Sequence, residues 1–371
     1  MNYCKRSAVR PALWSAALAL SFVGLSAVGT ARAADSTVTL YGSIDEGITY
    51  ISNQAGKRAW TMGVVAVPDK FGLKGTEDLG GGLSAIFQLE NGYFSNTGTS
   101  AIAADAFSRY AWVGLSSVRS GTLTLGRQWD LTNDVFTPNA NGAVQYNNYL
   151  YHPANFDNSA VNDVNNSLRY TSPKWGGWFV QGMYGFSDHS SGQGRYAGAT
   201  LRYAAGPLSI GAVYSSINNR TYALNTLLGY TQFLGQTLTN GNVFRATNTT
   251  VLGVGGQYRF SPAWTLHGLA DHVHLETAGP SGNIYNVELG LDWLVTPFNS
   301  ISLGGFRAGV VGRQYTSVGL ADLYHFSATT MVYAEATTQF ASHGTEAAMP
   351  SLTASSNTRQ TTLRIGVQHY F

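Results

Sequence analysis

Segments in which apolar and polar residues alternate recur along most of the chain, and this pattern restricts the possible folds more than any other feature. In residues 83–90 the apolar side chains of Leu83, Ala85, Phe87 and Leu89 occupy every second position. A period of two residues is that of a β-strand with one apolar and one polar face. Residues 71–75 share the period, and the glycine-rich residues 76–82 between the two segments predict a hairpin.

Sixteen such segments are predicted, and the connections between them alternate in length. The segments are 38–44, 71–75, 83–90, 107–115, 121–126, 167–172, 177–186, 196–204, 208–215, 250–260, 264–275, 284–295, 300–310, 315–325, 330–340 and 361–371. Long connections such as 91–106, 217–247 and 341–359 are rich in Asn, Gly, Ser and Thr, and short turns lie between them. This organisation is typical of an all-β, antiparallel transmembrane barrel. A soluble β-sandwich or propeller is the alternative, but no blade-length repeat is present.

The first 33 residues have the features of a secretory signal peptide. Lys5, Arg6 and Arg10 precede an apolar run over residues 12–28, and Ala31-Arg32-Ala33 supplies a cleavage pattern. The apolar run is short for a transmembrane anchor. We therefore predict a signal peptide in residues 1–33 and a single barrel domain in residues 34–371.

Removal of this segment changes the charge of the chain and its cysteine content. The segment carries four of the 22 basic residues and no acidic one, which leaves 18 basic against 20 acidic residues. No basic cluster remains, and nucleic acid is therefore not an expected partner. The single cysteine, Cys4, also lies in this segment, so neither a disulfide framework nor thiol chemistry is expected in the barrel domain.

One long stretch, residues 127–166, shows neither a strand period nor a helix period. It is rich in Asn, Asp, Tyr, Pro and Gly and lies between two alternating segments. A loop of this length inside a compact fold is normally functional or disordered. Its many aromatic residues, among them Tyr146, Tyr149 and Phe156, indicate an ordered loop that packs against another part of the protein.

Five motifs resemble those of a known family of membrane channels. They are Val38-Thr-Leu-Tyr-Gly42, Phe71-Gly-Leu-Lys-Gly-Thr-Glu-Asp-Leu-Gly-Gly-Gly-Leu83, Gly121-Thr-Leu-Thr-Leu-Gly-Arg-Gln128, Asn165-Asn-Ser-Leu-Arg-Tyr170 and Gly366-Val-Gln-His-Tyr-Phe371. With them the chain resembles the trimeric general porins of Gram-negative β-proteobacteria, of the Burkholderia and Neisseria type, over nearly all of residues 34–371.

The resemblance implies a homotrimer of sixteen-stranded barrels in the outer membrane, each a water-filled diffusion channel for ions and small hydrophilic solutes. The third external loop, residues 127–166 here, is expected to fold into the pore, and the second, residues 91–106, to contact a neighbouring subunit. Outer-membrane lipid and lipopolysaccharide are the expected surroundings. Phe371 is the expected signal for barrel assembly. One departure concerns Pro138-Asn-Ala-Asn-Gly142, because many members carry Pro-Glu-Phe-Gly-Gly there; a preference for cations therefore does not carry over.

Charged residues of the strands and of the long loop are the candidates for the pore lining. If Phe71 and Leu73 face outward, strand parity places Lys74 inside, and the same rule applies to other wall residues. A row of cations opposite carboxylates creates a transverse field that orients dipolar solutes. In the alternative interpretation, some of these residues form pairs that anchor the loop. The predicted pore-lining residues are Lys74, Arg109, Arg127, Asp130, Asp134, Asp157, Asp163, Arg169 and Arg202; Arg109 and Arg127 are assigned because they match wall arginines of the resembled family.

Two other functions compete with a channel: a surface adhesin or receptor, for which long loops such as 217–247 are suited, and an outer-membrane hydrolase. A hydrolase needs a histidine base near a nucleophile or an activated water, and no histidine lies in a recognisable constellation. His272-Val-His274 has the spacing for a weak metal site, and residues 157–163 lack the glycine and terminal glutamate of a calcium loop. We therefore expect no enzymatic activity, no cofactor and no metal.

Overall fold

A computed structural model describes residues 36–371, except residues 64, 66, 67, 104, 161, 188–191, 193 and 240. The predicted signal peptide, residues 1–33, lies outside the described residues. Among the described residues, no helix is long and apolar enough to cross a membrane.

Sixteen strands form the wall of the molecule. They are β1 (Thr37–Gln54), β2 (Lys70–Gly80), β3 (Leu83–Phe94), β4 (Tyr110–Ser117), β5 (Gly121–Trp129), β6 (Asp163–Thr171), β7 (Trp178–Gly185), β8 (Tyr196–Ala205), β9 (Leu208–Tyr222), β10 (Phe244–Ser261), β11 (Trp264–Glu276), β12 (Gly282–Thr296), β13 (Asn299–Val310), β14 (Arg313–His325), β15 (Thr330–Ala341) and β16 (Arg359–Tyr370).

Each wall strand pairs antiparallel with its neighbours in the sequence, and the sheet closes on itself. Strand β1 pairs with β2 on one side, in the register Leu40↔Leu73, and with β16 on the other, in the register Ile48↔Ile365. Closure leaves no free edge, so the backbone polar groups along each wall strand can pair with both of its neighbours. The predicted sixteen-stranded antiparallel barrel is thus confirmed.

The polarity of the strands is inverted relative to that of a soluble protein. On β12 the outward side chains of Val287 and Leu289 are 61% and 60% exposed, whereas the inward Asn286 and Glu288 are 2% and 3% exposed. An apolar outer face and a polar interior are stable when the surroundings of the wall are lipid. Aromatic side chains such as Trp264 and Trp293, whose rings stack at 5.4 Å, mark the rim of the apolar band, where an interfacial girdle is expected.

The strands end further from the predicted positions at the long-loop rim than at the short-turn rim. Strand β1 continues ten residues beyond the predicted segment, and β6 begins at Asp163, four residues before its predicted start. Polar residues occur on both faces of these extensions, so the regular alternation of apolar and polar residues is lost there. Strand β4 begins at Tyr110, three residues after its predicted start, because Ser108 bonds by its side chain to the amide of Gly92 and to Asn91.

The short and long connections lie at opposite rims. The turn between β2 and β3 uses Gly80, Gly81 and Gly82 at φ of 84°, 63° and 79°, a backbone region that favours glycine. At the other rim, short strands extend the first and second loops, and the fifth contains a helix and a small hairpin. These elements are Lys57–Gly63, Thr99–Ser100, the helix Leu224–Leu228, and the strands Gln232–Phe233 and Gln236–Thr237.

The third external loop folds into the barrel, as the resemblance implied. It comprises residues 130–162 and is called the constriction loop below. Its helical turns contact the inner faces of β8 to β14, and its tip hydrogen bonds to β15 and β1. The turns are the helices α1 (Leu131–Val135) and α2 (Asn141–Val144) and the 3-10 helices Thr137–Asn139, Asn148–Leu150 and Pro153–Asn155.

Candidate pore constriction

The constriction loop begins at a buried cap. Asp130 is fully buried and is the N-cap of α1, accepting the amide of Thr132 at 2.9 Å. It also accepts the hydroxyl of Tyr196 at 2.9 Å and the amide group of Asn158 at 2.8 Å. Burial raises the pKa of Asp130, against the opposing effect of the Thr132 amide and the Tyr196 hydroxyl. All of these contacts hold the two ends of the loop together at the wall.

The middle of the loop rests on a track of glycines on the inner wall. A Cβ atom built on Gly253 would lie 2.5 Å from the ring of Phe136, and one on Gly255 would lie 2.7 Å from the carbonyl oxygen of Val135. Distances under 3.0 Å are not found for real Cβ atoms, so these positions admit the loop only as glycine. The glycine track consists of Gly211, Gly253, Gly255, Gly290, Gly304 and Gly319 on β9, β10, β12, β13 and β14.

Asn141 fastens the loop to the wall at the centre of this track. Its side-chain amide donates to the carbonyl oxygens of Leu289 at 3.1 Å and Gly305 at 3.2 Å, and its backbone amide donates to Glu288. The side chain fits between the strands because Gly290 and Gly304 have none of their own. A single asparagine therefore ties the loop to two neighbouring strands.

The tip of the loop reaches the far side of the barrel. The side-chain amide of Asn147 donates to Thr337 on β15 at 2.8 Å, and the Tyr149 hydroxyl donates to Thr49 on β1 at 3.3 Å. Tyr149 also packs with Ile51 of β1 in a small buried cluster. The loop consequently spans the lumen from β6 to β1 and narrows the opening.

Arginines of the opposite wall form ion pairs at the lumen. Arg109 pairs with Glu90 at 2.5 Å, and Arg127 pairs with Asp163 at 2.9 Å. Arg169 pairs with Asp134 of the constriction loop, and these two side chains are 19% and 21% exposed. This row of residues crosses the wall from β3 to β6 and reaches the loop at its last pair.

Two further predicted cations point inward without an ion pair among the described residues. The guanidinium of Arg202 lies over the ring of Phe179, 5.0 Å from its centroid. The ammonium group of Lys74 lies 5.2 Å from the centroid of Tyr41, nearer the short-turn rim. Their charges are therefore not neutralised by a carboxylate in direct contact.

Asp157, on the returning half of the loop, is fully buried between the loop and the wall. Its carboxylate lies 2.8 Å from Nδ1 of His152, whose Nε2 lies 3.0 Å from Glu288. Burial alone would lower the pKa of His152, but the carboxylates of Asp157 and Glu288 overcome that effect and raise it well above 6.5.

The predicted pore-lining residues thus fall into two groups. The structure brings together Arg109, Arg127, Arg169, Arg202, Asp134 and Asp163 at the lumen and separates Asp130 and Asp157 from them. Whether each of them lines the conducting path stays a prediction.

Two features of this site were missed in the sequence. Glu90, the partner of Arg109, ends the alternating segment 83–90 at a polar position, and the pattern assigns it no partner. The glycine track was also missed, although a signal exists: Gly253 and Gly255 recur at period two on the polar face of β10, where large polar residues are usual. Inward glycines on adjacent strands indicate close approach of another backbone.

The comparisons with known proteins agree with this architecture. Residues 16–344 match the family described as Gram-negative porin. An outer membrane porin protein of Bordetella pertussis is 32% identical over 242 residues, which cover 57% of this chain and 60% of that protein. Outer membrane porin protein 32 of Delftia acidovorans is 33% identical over 199 residues, covering 50% and 55%. The alignments thus span little more than half the length of these curated relatives.

Solved structures share the fold over most of the chain. The anion-selective porin from Comamonas acidovorans superposes with a TM-score of 0.75 at 22% identity, covering 91% of this chain and 100% of that one. The trimer form of OmpT from Vibrio cholerae gives a TM-score of 0.67 at 15% identity, covering 91% and 99%. At these identities the likeness concerns the fold alone. The family match, the closed barrel and its apolar outer face together show that this chain is an outer-membrane protein of the Gram-negative porin family.

Proposed function

We propose that the chain forms a water-filled channel for the passive diffusion of ions and small hydrophilic solutes. The observation that carries this proposal is the position of the constriction loop, which crosses the lumen of a closed barrel opposite a wall of arginines. Polar and charged side chains on both sides of a lumen replace part of the hydration of a passing solute. The proposed solutes are therefore hydrophilic and small enough to pass the loop.

The proposed channel prefers anions. Of the charged residues brought together at the lumen, the four arginines Arg109, Arg127, Arg169 and Arg202 stand against the three carboxylates Glu90, Asp134 and Asp163, an excess of one positive charge. Lys74 adds a further cation toward the short-turn rim. Charge of one sign along a narrow pore raises the local concentration of the opposite ion. The similar protein from Comamonas acidovorans is described as anion-selective, which agrees with this proposal.

The test is the reversal potential of single channels in a salt gradient, in wild type and in Arg202→Gln. Wild type should show stepwise openings with a reversal potential on the anion side, and Arg202→Gln should move it toward zero because one unpaired cation is lost. Arg202→Lys keeps the charge and should keep most of the selectivity. Arg307→Gln, on the outer face of β13, is the matched control and should not change it.

Absence of conductance steps in folded, inserted protein would overturn the channel proposal. An unchanged reversal potential in Arg202→Gln would leave the channel intact but overturn the assignment of Arg202 to the conducting path. The two results are distinguishable in the same bilayer recording.

We further propose that three barrels assemble into a trimer through the face formed by β1 to β3. Small outward residues such as Gly42, Gly75 and Ala85 leave this face flat. On β1 the outward Glu46 accepts the hydroxyl of Ser95 at 2.6 Å. A carboxylate on the outer face is costly against lipid and is better suited to a subunit contact.

The mass of the complex after mild detergent extraction tests the proposed trimer, and a single-barrel mass would count against it. In the same proposal the second external loop contacts the neighbouring subunit, and lipid with lipopolysaccharide covers the remaining outer face.

Phe371 is proposed as the assembly signal, and residues 1–33 as a cleaved signal peptide. The amide of Phe371 donates to the carbonyl oxygen of Gly42 at 3.1 Å, and the Gly42 amide donates back at 3.0 Å, at the closing seam of the barrel. Phe371→Ala should lower the amount of folded protein in the outer membrane and leave the conductance of the surviving channels unchanged. Phe326→Ala, which replaces an exposed aromatic residue in a turn at the same rim, is the control.

N-terminal sequencing of the mature protein tests the proposed cleavage of the signal peptide after Ala33.

A further inference from the structure

Four ionisable side chains lie together in the space between the constriction loop and the wall. His152 and Asp157 come from the loop, Asp271 from β11 and Glu288 from β12. Their side chains are 1%, 0%, 0% and 1% exposed. These four residues, called the acid–imidazole cluster below, are separate from the arginines of the lumen.

The ligand atoms of three of these residues are close enough to share one ion. Nδ1 of His152 lies 2.8 Å from Asp157 Oδ2 and 4.0 Å from Asp271 Oδ2, and the three groups converge within 4.8 Å. A divalent cation held at about 2.0–2.2 Å by imidazole nitrogen and carboxylate oxygen spans ligand pairs up to about twice that distance. Both measured separations fall within this span.

The cluster has polar atoms without hydrogen-bond partners and an excess of negative charge. Asp271 Oδ2 is buried, accepts no hydrogen bond and lies among the three converging groups; Asp157 Oδ1 is also buried without a hydrogen bond. Three carboxylates face one imidazole, so even a protonated His152 leaves an excess of acid. A buried charge of this kind is stable only when it is paired, protonated or bound to a metal.

The remaining contacts fit a metal ligand set. Nε2 of His152 lies 3.0 Å from Glu288 Oε2, and a metal-bound histidine commonly directs its second nitrogen to a carboxylate. Asp271 Oδ1 accepts the side-chain amide of Asn286 at 2.8 Å, which fixes the carboxylate and leaves Oδ2 directed at the cluster. One nitrogen and two or more oxygens suit a first-row divalent cation such as Zn²⁺ or Mn²⁺.

We propose that His152, Asp157 and Asp271 bind a divalent cation that fastens the constriction loop to the barrel wall, with Glu288 positioning His152. The ion links two residues of the loop to β11 and neutralises the buried carboxylates. It thereby holds the returning half of the loop, which the glycine track does not reach.

The test is the metal content of the purified, folded protein. Protein stripped with a chelator is incubated with Zn²⁺, Mn²⁺ or Ca²⁺ and freed from excess ion, and the bound metal is measured by mass spectrometry together with the melting temperature. Wild type should retain one ion per chain and melt at a higher temperature with the ion than without it. Asp271→Asn should weaken binding by about tenfold or more, because it removes one charged ligand.

Glu77→Gln, at an exposed position of β2 outside the cluster, is the matched control and should bind as wild type does. His152→Gln provides a second variant in case Asp271→Asn folds poorly, and it should also lose the ion. If wild type retains none of the three ions, or if both cluster variants bind as tightly as wild type, the proposal is wrong. Because metal content does not depend on conductance, these outcomes are independent of the channel proposal.

Discussion

The two sides of the inner wall differ in how they meet the constriction loop. Strands β5, β6 and β8 carry Arg127, Arg169 and Arg202, Arg109 directly precedes β4, and the paired arginines are 11–19% exposed at the lumen. Strands β9 to β14 carry the glycine track, and the loop packs directly on their backbone. The loop therefore lies where glycines leave space on the wall, and the arginines stand where the loop does not pack on the wall backbone.

This difference separates the parts of the site that stabilise it from those that select solutes. Phe136 and Leu150 are fully buried on the glycine side, and burial of such side chains contributes about 1.5–3 kcal/mol each. Partly exposed ion pairs such as Arg127–Asp163 contribute about 0–1 kcal/mol. We therefore expect changes on the glycine side to alter the position of the loop, and changes on the arginine side to alter selectivity.

The largest expected effect follows from removal of the loop segment that crosses the lumen. Deletion of residues 139–149 removes α2 and the contacts to β15 and β1. Single-channel conductance should rise several-fold and size exclusion should relax, because the obstruction is gone. Deletion of residues 278–280, exposed in the sixth external loop, is the control. Unchanged conductance in a folded mutant would place the loop outside the conducting path.

Gly304→Val should displace the loop without shortening it. The added side chain would occupy the space of Asn141, and overpacking of this kind costs about 1–3 kcal/mol. We expect a lower melting temperature and a higher, noisier conductance. Gly182→Val, on the outer face of β7, is the control, because a Cβ there meets no atom within 4 Å. Equal effects of the two substitutions would contradict the special role of the glycine side.

The His152 contacts should make loop anchoring dependent on pH in metal-free protein. Because the pKa of His152 in the folded state is raised above 6.5, its contribution is fully present below about pH 6.5 and is lost as pH rises through the raised value. The melting temperature of wild type should fall over that range more than that of His152→Gln. His343→Gln, at an exposed loop position, should behave as wild type. Parallel curves for His152→Gln and wild type would show that the imidazolium does not anchor the loop.

The smallest effect on stability is expected from Asp134→Asn. The substitution leaves Arg169 without its carboxylate partner, so the reversal potential should move further toward the anion side. Stability should change by less than about 1 kcal/mol, because both groups are partly exposed. Asp322→Asn, on the outer face of β14, should leave the reversal potential unchanged. A loss of stability as large as that of Gly304→Val would assign Asp134 to the anchoring contacts.

Much of the candidate site was predictable, because strand parity is a local property. The alternation around Arg169 and Arg202 is enough to place both side chains inside the barrel, where they are found. The partners of the acids were not predictable. Asp130 and Asp134 are four positions apart on the same loop. Asp130 caps a helix at a buried position, whereas Asp134 faces Arg169 at the lumen. Which of them meets water depends on the route of the loop, which no local pattern encodes.

The sequence by itself determined the number of strands, their inward and outward faces and the existence of an ordered loop. Each of these follows from the polarity of residues that are near neighbours in the chain. Only the tertiary structure decided where the loop lies, which glycines receive it and which acids meet His152. These contacts join residues as far apart as Asn147 and Thr337, 190 positions in sequence, and they exist only after the barrel has closed and brought distant strands within hydrogen-bonding distance of one loop.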